Sequence, residues 1–280
     1  MFKVANILRK DTFIALFAVA FLSGCASQQA DLQTSEPEDD LFASTEDAAT
    51  TEEANDPLET FNRFVFAFNE AADTLIIRPA AEGYRFIVPE PIQNNIRNFI
   101  RNTQSPVILA NNLLQGDLEA AENTFTRFFL NTIVGLGGII DIAGEHTGHE
   151  YRDEDFGQTL ATWGVGEGPY LVLPILGPSN ARDGVGLIAD ILIDPLTYTV
   201  NDDVLLGRAI VDGLDTRARN IESLDALKED SLDYYARIRS VYGQLRENQI
   251  RNVDSATEKD TPDLGNIFPE DDDQLSYLEE

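Results

Sequence analysis

The sequence predicts a single all-α domain between two acidic, disordered tails. Three observations lead there. From residue 55 to 250 apolar side chains recur at three- and four-residue intervals, the period of helices packed on one face. No stretch alternates convincingly with the period of two that marks a strand, and no segment repeats or suggests a second core. The ends are rich in Asp, Glu, Ser, Thr and Ala and poor in large apolar residues, so they lack the material for a core of their own. The expected divisions are a leader over 1–24, an acidic linker over 25–54, the helical domain over 55–250 and an acidic tail over 251–280.

Taken in order, Asp56-Pro57-Leu58-Glu59 reads as a helix start, with Asp as N-cap, Pro at N1 and Glu at N3. Phe61, Phe64, Val65, Phe68, Ala72, Leu75 and Ile76 stripe the helix that follows, and Pro79 is expected to stop it. After the Pro89-Glu90-Pro91 break, Ile92, Ile96, Phe99 and Ile100 indicate a second helix. Ser105-Pro106 then reads as the start of a third, closed by Gly116. Asp117 caps a fourth, through Phe125, Phe128, Phe129 and Thr132 to the glycines at 135, 137 and 138. Residues 133–143 and 164–178 are apolar but broken by Gly and Pro, and both are too short to span a bilayer as helices. Ser179 reads as the cap of a helix through Ile191 and Leu192, and Asp194-Pro195 as the start of another turn. Residues 203–220 and 221–248 read as two more helices.

The first 25 residues carry an address. Lys3, Arg9 and Lys10 precede a short apolar run from Thr12 to Leu22, and Leu22-Ser23-Gly24-Cys25 supplies small residues before a cysteine. This is the three-part form of a secretory signal, with a run too short to cross a membrane. Its ending resembles the bacterial lipobox, in which the thiol is acylated and becomes the new N-terminus, so Cys25 is the expected lipidation site. Ala26 and Ser27 follow, not the Asp that favours inner-membrane retention in enteric bacteria; the reading is an outer-membrane lipoprotein. Cys25 is the one cysteine of the chain, so the mature protein would have neither a disulfide nor a thiol nucleophile.

Charge narrows the partners. The chain carries 20 basic and 49 acidic residues, a net charge of −29. Residues 26–59 hold eleven acidic and no basic side chains, and residues 258–280 hold nine acidic and one basic. Nucleic acid is excluded as a partner, because affinity for it comes from cations set against phosphate. Attraction to anionic headgroups is equally disfavoured. Membrane contact would have to be apolar and driven by the anchor.

Chemical motifs are sparse. His146 and His149 lie in a polar loop with Glu145, Glu150 and Asp153 nearby as conceivable metal ligands, but two solvated loop histidines account for the pattern. Asp153-Glu154-Asp155 could pass for paired carboxylates, though adjacent residues do not face each other across a substrate. Ser105 and Ser179 sit in no Gly-x-Ser-x-Gly elbow. Gly135-Leu-Gly-Gly138 lacks the Lys-Ser/Thr of a phosphate loop and fits a tight turn or close backbone packing. No enzyme activity, cofactor or metal is expected. The abundance of Phe is more telling. Phe64, Val65, Phe66 and Phe68, like Phe125, Phe128, Phe129 and Leu130, put apolar groups on more than one face of a helix turn. Such helices are either deeply buried or face lipid, and an acyl anchor favours lipid.

Several short motifs occur together in one order: Asn55-Asp-Pro-Leu-Glu59, Phe61-Asn-Arg63, Val88-Pro-Glu-Pro91, Asn111-Asn-Leu-Leu-Gln-Gly116 and Thr126-Arg-Phe-Phe-Leu-Asn-Thr132. They continue with Gly135-Leu-Gly-Gly138, Asp155-Phe-Gly-Gln-Thr159, Gly166-Glu-Gly-Pro-Tyr170, Leu173-Pro-Ile-Leu-Gly-Pro178, Arg182-Asp183 and Asp194-Pro195. This series closely resembles the MlaA/VacJ family of outer-membrane lipoproteins over roughly residues 55–250, while the tails take no part. The resemblance implies a ring-shaped helical domain in the inner leaflet of the outer membrane, on its periplasmic face, beside a trimeric porin of the OmpC/OmpF kind. It implies an amphipathic channel that removes phospholipids mislocalised to the outer leaflet and passes them to the periplasmic carrier MlaC, maintaining lipid asymmetry. Asp155, Arg182 and Asp183 are expected near the channel or its mouth, because they are polar residues flanking apolar segments. Two other readings stay open on the residues alone: a structural lipoprotein that supports porin assembly without moving lipid, and an envelope hydrolase.

Overall fold

A computed structural model describes residues 56–251, so the expected leader, Cys25, the linker and nearly all of the acidic tail lie outside the described residues. The domain is helical. It consists of α1 (Glu59–Ala72), a π-helical turn (Asp73–Ile77), α2 (Arg78–Ile87), α3 (Glu90–Gln115), α4 (Leu118–Ile133), α5 (Ile142–Thr147) and α6 (Phe156–Thr162). A hairpin of β1 (Tyr170–Leu173) and β2 (Gly177–Asn180) follows, then α7 (Ala181–Ile193), α8 (Leu196–Thr199), α9 (Asp202–Arg219), α10 (Ile221–Glu229) and α11 (Tyr234–Ile250).

Local signals set many boundaries. Gly116 closes α3 in the left-handed conformation at φ 80°, which only glycine adopts freely. The Asp117 carboxylate accepts from Ala120 N at 2.9 Å and caps α4. Elsewhere packing overrides the expected punctuation. Pro79 does not stop the first helix: the backbone widens into a π-turn just before it, where the proline ring would press on the carbonyl four residues back, and then continues as α2. Ser105-Pro106 does not open a helix; α3 runs through it for 26 residues, and Ser105 Oγ donates to the Arg101 carbonyl at 3.1 Å. Asn180, not Ser179, caps α7 by accepting from Asp183 N at 2.8 Å. Residues 221–248 divide into two helices, the second capped by Asp233.

Asp56 is not an N-cap either. Its carboxylate turns inward to accept from Asn62 Nδ2 at 2.7 Å, Arg239 Nη1 at 3.0 Å and the Tyr235 hydroxyl, clasping the start of α1 to α11.

The hairpin was not expected, since Gly177-Pro-Ser-Asn180 has the composition of a turn. Its antiparallel register pairs Tyr170 with Asn180 and Leu173 with Gly177. Two α1 side chains seven residues apart take the place of a third strand. Asn62 donates to the Tyr170 carbonyl and accepts from Val172 N, both at 3.0 Å. Asn69 donates to the Leu173 carbonyl at 2.9 Å and accepts from Ile175 N at 2.7 Å. The free edge of β1 is thereby satisfied by a helix.

Packing between elements runs in a closed circuit. The π-turn joins α1 to α2; α2 packs on α9, α9 on α3, α3 on α6, and α6 on α7 and α11; α11 meets β2, and β1 returns to α1. A small apolar cluster of Val65, Tyr170, Val172 and Tyr235, flanked by Phe66 and Tyr242, closes the join between α1, the hairpin and α11.

Candidate functional site

Much of the buried interior is polar and much of the exposed surface is apolar. Among the described residues the largest side chains shut wholly from solvent are Gln158, Asn62, Asn111, Asn112 and Thr159, all of them polar. Large apolar side chains lie outside instead: Phe86 is 92% exposed, Leu75 75% and Phe64 74%, with Phe125, Phe129, Ile133, Leu136, Trp163, Ile175 and Leu176 more than half exposed. Water penalises such a surface at roughly 25 cal/mol per Å² of apolar area, and surfaces rich in exposed apolar groups mark membrane or protein contact. No helix among the described residues is long and apolar enough to cross a membrane.

The buried polar groups form a connected seam between α3, α6 and α7. Asn111 Nδ2 donates to Asp190 Oδ1 at 2.9 Å, and Thr159 Oγ1 donates to Asn111 Oδ1 at 2.9 Å. Asp190 accepts from the Phe156 amide at 3.0 Å, and burial pushes its carboxyl up to about 6. Gln115 donates to Glu154 Oε2 at 2.9 Å. Glu154 is buried, its Oε1 has no partner, and desolvation raises it to about 7.

Asp155, Arg182 and Asp183 come together, and Arg246 of α11 is what joins them. Its guanidinium donates to both Asp155 oxygens at 2.6 and 2.7 Å and to both Asp183 oxygens at 2.8 and 2.9 Å. The Tyr242 hydroxyl donates to Asp183 Oδ2 at 2.6 Å, and Arg182 Nε donates to Asp183 Oδ1 at 3.0 Å. These donors hold both carboxyls below the usual carboxylate range against the opposing effect of burial. The Asp155 side chain stays 36% exposed, whereas those of Asp183 and Arg182 are closed off. Gly157 and Gly186 bring α6 and α7 into contact here; a Cβ on Gly186 would overlap the Gly157 backbone.

Beside this cluster is a wall of different character. Asp153 is exposed by area, yet the protein around it is dense enough that desolvation is the foremost cause raising its carboxyl, followed by the nearby Asp155 charge. Tyr151 donates its hydroxyl to Asp153 Oδ1 at 3.2 Å, and the Arg101 guanidinium lies 4.2 Å from the Tyr151 ring centroid. One turn along α3, Gln104 donates to Asp212 Oδ2 of α9 at 3.4 Å, and burial raises Asp212 as well. Arg127 also lies over Tyr151, at 5.8 Å, but is spent on Asp141 at 2.8 Å and on the His149 carbonyl. Among the described residues the Arg101 guanidinium has no ion-pair or hydrogen-bond partner beyond its stacking on Tyr151. The sequence offered no periodicity that would single out Arg101 or Asp212; each takes its meaning from α9 packing on α3.

His149 Nδ1 is 2.8 Å from Thr147 Oγ1 at the surface, and among the described residues no three His, Cys, Asp or Glu side chains gather as a metal site. The Gly135–Gly138 turn proves tight: Gly137 and Gly138 have φ of 75° and 94°, and a Cβ on Gly138 would overlap the Asn102 side chain.

The family model described as MlaA lipoprotein matches residues 54–249. The chain belongs to the MlaA family. Relatives described as the intermembrane phospholipid transport system lipoprotein MlaA include that of Shigella flexneri, 40% identical over 74% of this chain and 83% of the relative. The Haemophilus influenzae MlaA is 31% identical over 87% of this chain and 91% of its own. A solved structure, described as the structural basis for maintenance of bacterial outer membrane lipid asymmetry, superposes with a TM-score of 0.64 at 39% identity, covering 70% of this chain and 98% of that one. The short motifs that carried the resemblance in the sequence contribute to the polar seam: Asn111-Asn112 and Gln115-Gly116 on α3, and Asp155 with Gly157-Gln-Thr159 on α6.

Proposed function

We propose that this protein is an outer-membrane lipoprotein, anchored through acylated Cys25, whose ring-shaped domain sits in the periplasmic leaflet and lets mislocalised phospholipids pass from the outer leaflet to a periplasmic carrier. The observation that carries the reading is the pairing of exposed large apolar side chains with a buried polar seam. A headgroup crossing hydrocarbon alone leaves its polar atoms unmet, at several kcal/mol; a polar passage inside a greasy rim meets them. The work is done by positions and not by covalent chemistry, as befits a lipid-transport component. Asp155, the most open member of the Arg246 cluster, stands at the edge of the passage, with Arg182 and Asp183 shaping it from behind. A trimeric porin of the OmpC/OmpF kind as neighbour and MlaC as acceptor are part of this reading.

The test labels surface-exposed phospholipid on cells with and without the gene, then restores either the wild-type chain or Cys25→Ala. Outer-leaflet phospholipid should rise on deletion and fall only with the acylated form. Unchanged outer-leaflet phospholipid with altered porin abundance would instead indicate an assembly lipoprotein.

A further inference from the structure

We propose that the wall of Arg101, Tyr151, Asp153 and Asp212 is a headgroup-reading site selective for zwitterionic phosphoethanolamine lipids over anionic phosphoglycerol lipids. This rests on the transport reading and assigns the site its substrate class.

Arg101 is held but not neutralised. Stacking on Tyr151 fixes the plane of its guanidinium, 4.2 Å from the ring centroid, while its donors meet no acceptor among the described residues. None of its nitrogens is among the buried, unpartnered atoms, so they open onto accessible space. Its neighbour Arg127, over the same ring, shows the alternative, being paired with Asp141. An oriented guanidinium with free donors matches a phosphodiester, which accepts two parallel hydrogen bonds.

The opposite charge is supplied alongside. Asp153 is tied to the same Tyr151 through the hydroxyl at 3.2 Å, and Asp212 is brought up by Gln104, three residues along α3 from Arg101. A phosphoethanolamine headgroup carries its phosphate and ammonium a few ångströms apart, so phosphate on Arg101 sets the ammonium towards these carboxylates. A phosphoglycerol headgroup has the phosphate but no cation, and would leave both carboxylates facing added negative charge.

The experiment equilibrates full-length, acylated protein in detergent with equimolar phosphatidylethanolamine and phosphatidylglycerol, washes off loosely held lipid, and quantifies what is retained by mass spectrometry. Wild type should retain several-fold more phosphatidylethanolamine. Arg101→Gln should lower total retained phospholipid about tenfold, the worth of one charge-assisted contact, with Arg101→Lys recovering part of it. Asp153→Asn with Asp212→Asn should leave retention intact and abolish the preference. Equal retention of both lipids by wild type, with Arg101→Gln unchanged, overturns this assignment and leaves the transport reading standing. Retention of neither lipid overturns both. Should Arg101→Gln fail to fold by circular dichroism, the Asp153/Asp212 variant decides alone, since an unchanged preference there is incompatible with the proposal.

Discussion

Arg246 donates four hydrogen bonds to two carboxylates, one opening α6 and one in the first turn of α7. Each carboxylate also accepts at a helix start, Asp155 from Gln158 N, so the three charges fix three helices around one point. Replacing one member strands the others without compensation. Arg246→Met should destabilise the domain by about 3–5 kcal/mol, the usual cost of leaving buried charge unpaired, read as a fall in thermal midpoint in detergent. Glu154 offers a finer test. Folded, it keeps its proton to about 7, whereas an ordinary glutamate releases it near 4.5. Between those values the folded state binds more protons than the unfolded chain, so stability falls as pH rises through that window. Glu154→Gln cannot ionise, and should therefore gain on wild type between about pH 5 and about pH 8, by at most roughly 3 kcal/mol. Parallel melting curves for the two proteins across that range would contradict the burial of this carboxyl.

At the scale of elements, helices were legible wherever local chemistry agreed with the tertiary arrangement. Asp117 and Gly116 mark their boundaries because a capping carboxylate and a left-handed glycine act on their own backbone. Pro79, Pro106 and Ser179 misled because their local preferences are worth only a few kcal/mol, which packing of long helices outweighs. The hairpin was illegible for a related reason: its β1 edge is completed by Asn62 and Asn69, which are more than a hundred residues away in sequence. Asn62→Ala would leave the Tyr170 carbonyl and Val172 amide unmet. It should cost about 2–6 kcal/mol, at roughly 1–3 kcal/mol for each buried group, and speed hydrogen exchange at Val172. Exchange as slow as in wild type would show that the helix does not hold the strand.

For the whole molecule, the apolar exterior predicts behaviour independent of the anchor. Cys25→Ala protein, lacking acyl chains, should still bind neutral phosphatidylcholine vesicles in a flotation assay, because Phe86, Leu75 and Phe64 remain exposed. Added salt should not release it, since the net charge of −29 offers no attraction to lose. Ile175 marks the same surface from within the fold. It is a β-branched residue at φ 68°, a conformation glycine would take with less strain, and it stands exposed at the hairpin tip beside Leu176. Its side chain serves what lies outside the domain.

The sequence by itself determined the helical class and, through a series of ordered motifs, the family. These are properties of composition, period and local spacing, which a linear reading preserves. Only the tertiary structure decided that the motif polar residues lie buried while Phe61, Phe64, Phe68, Phe86, Phe125 and Phe129 lie exposed. It alone decided that Arg246 is the keystone of Asp155 and Asp183, and that Arg101, Asp153 and Asp212 share one wall. An amphipathic helix has two faces, and its pattern shows which residues share a face but not which solvent that face meets. The answer depends on how helices distant in sequence close around one another.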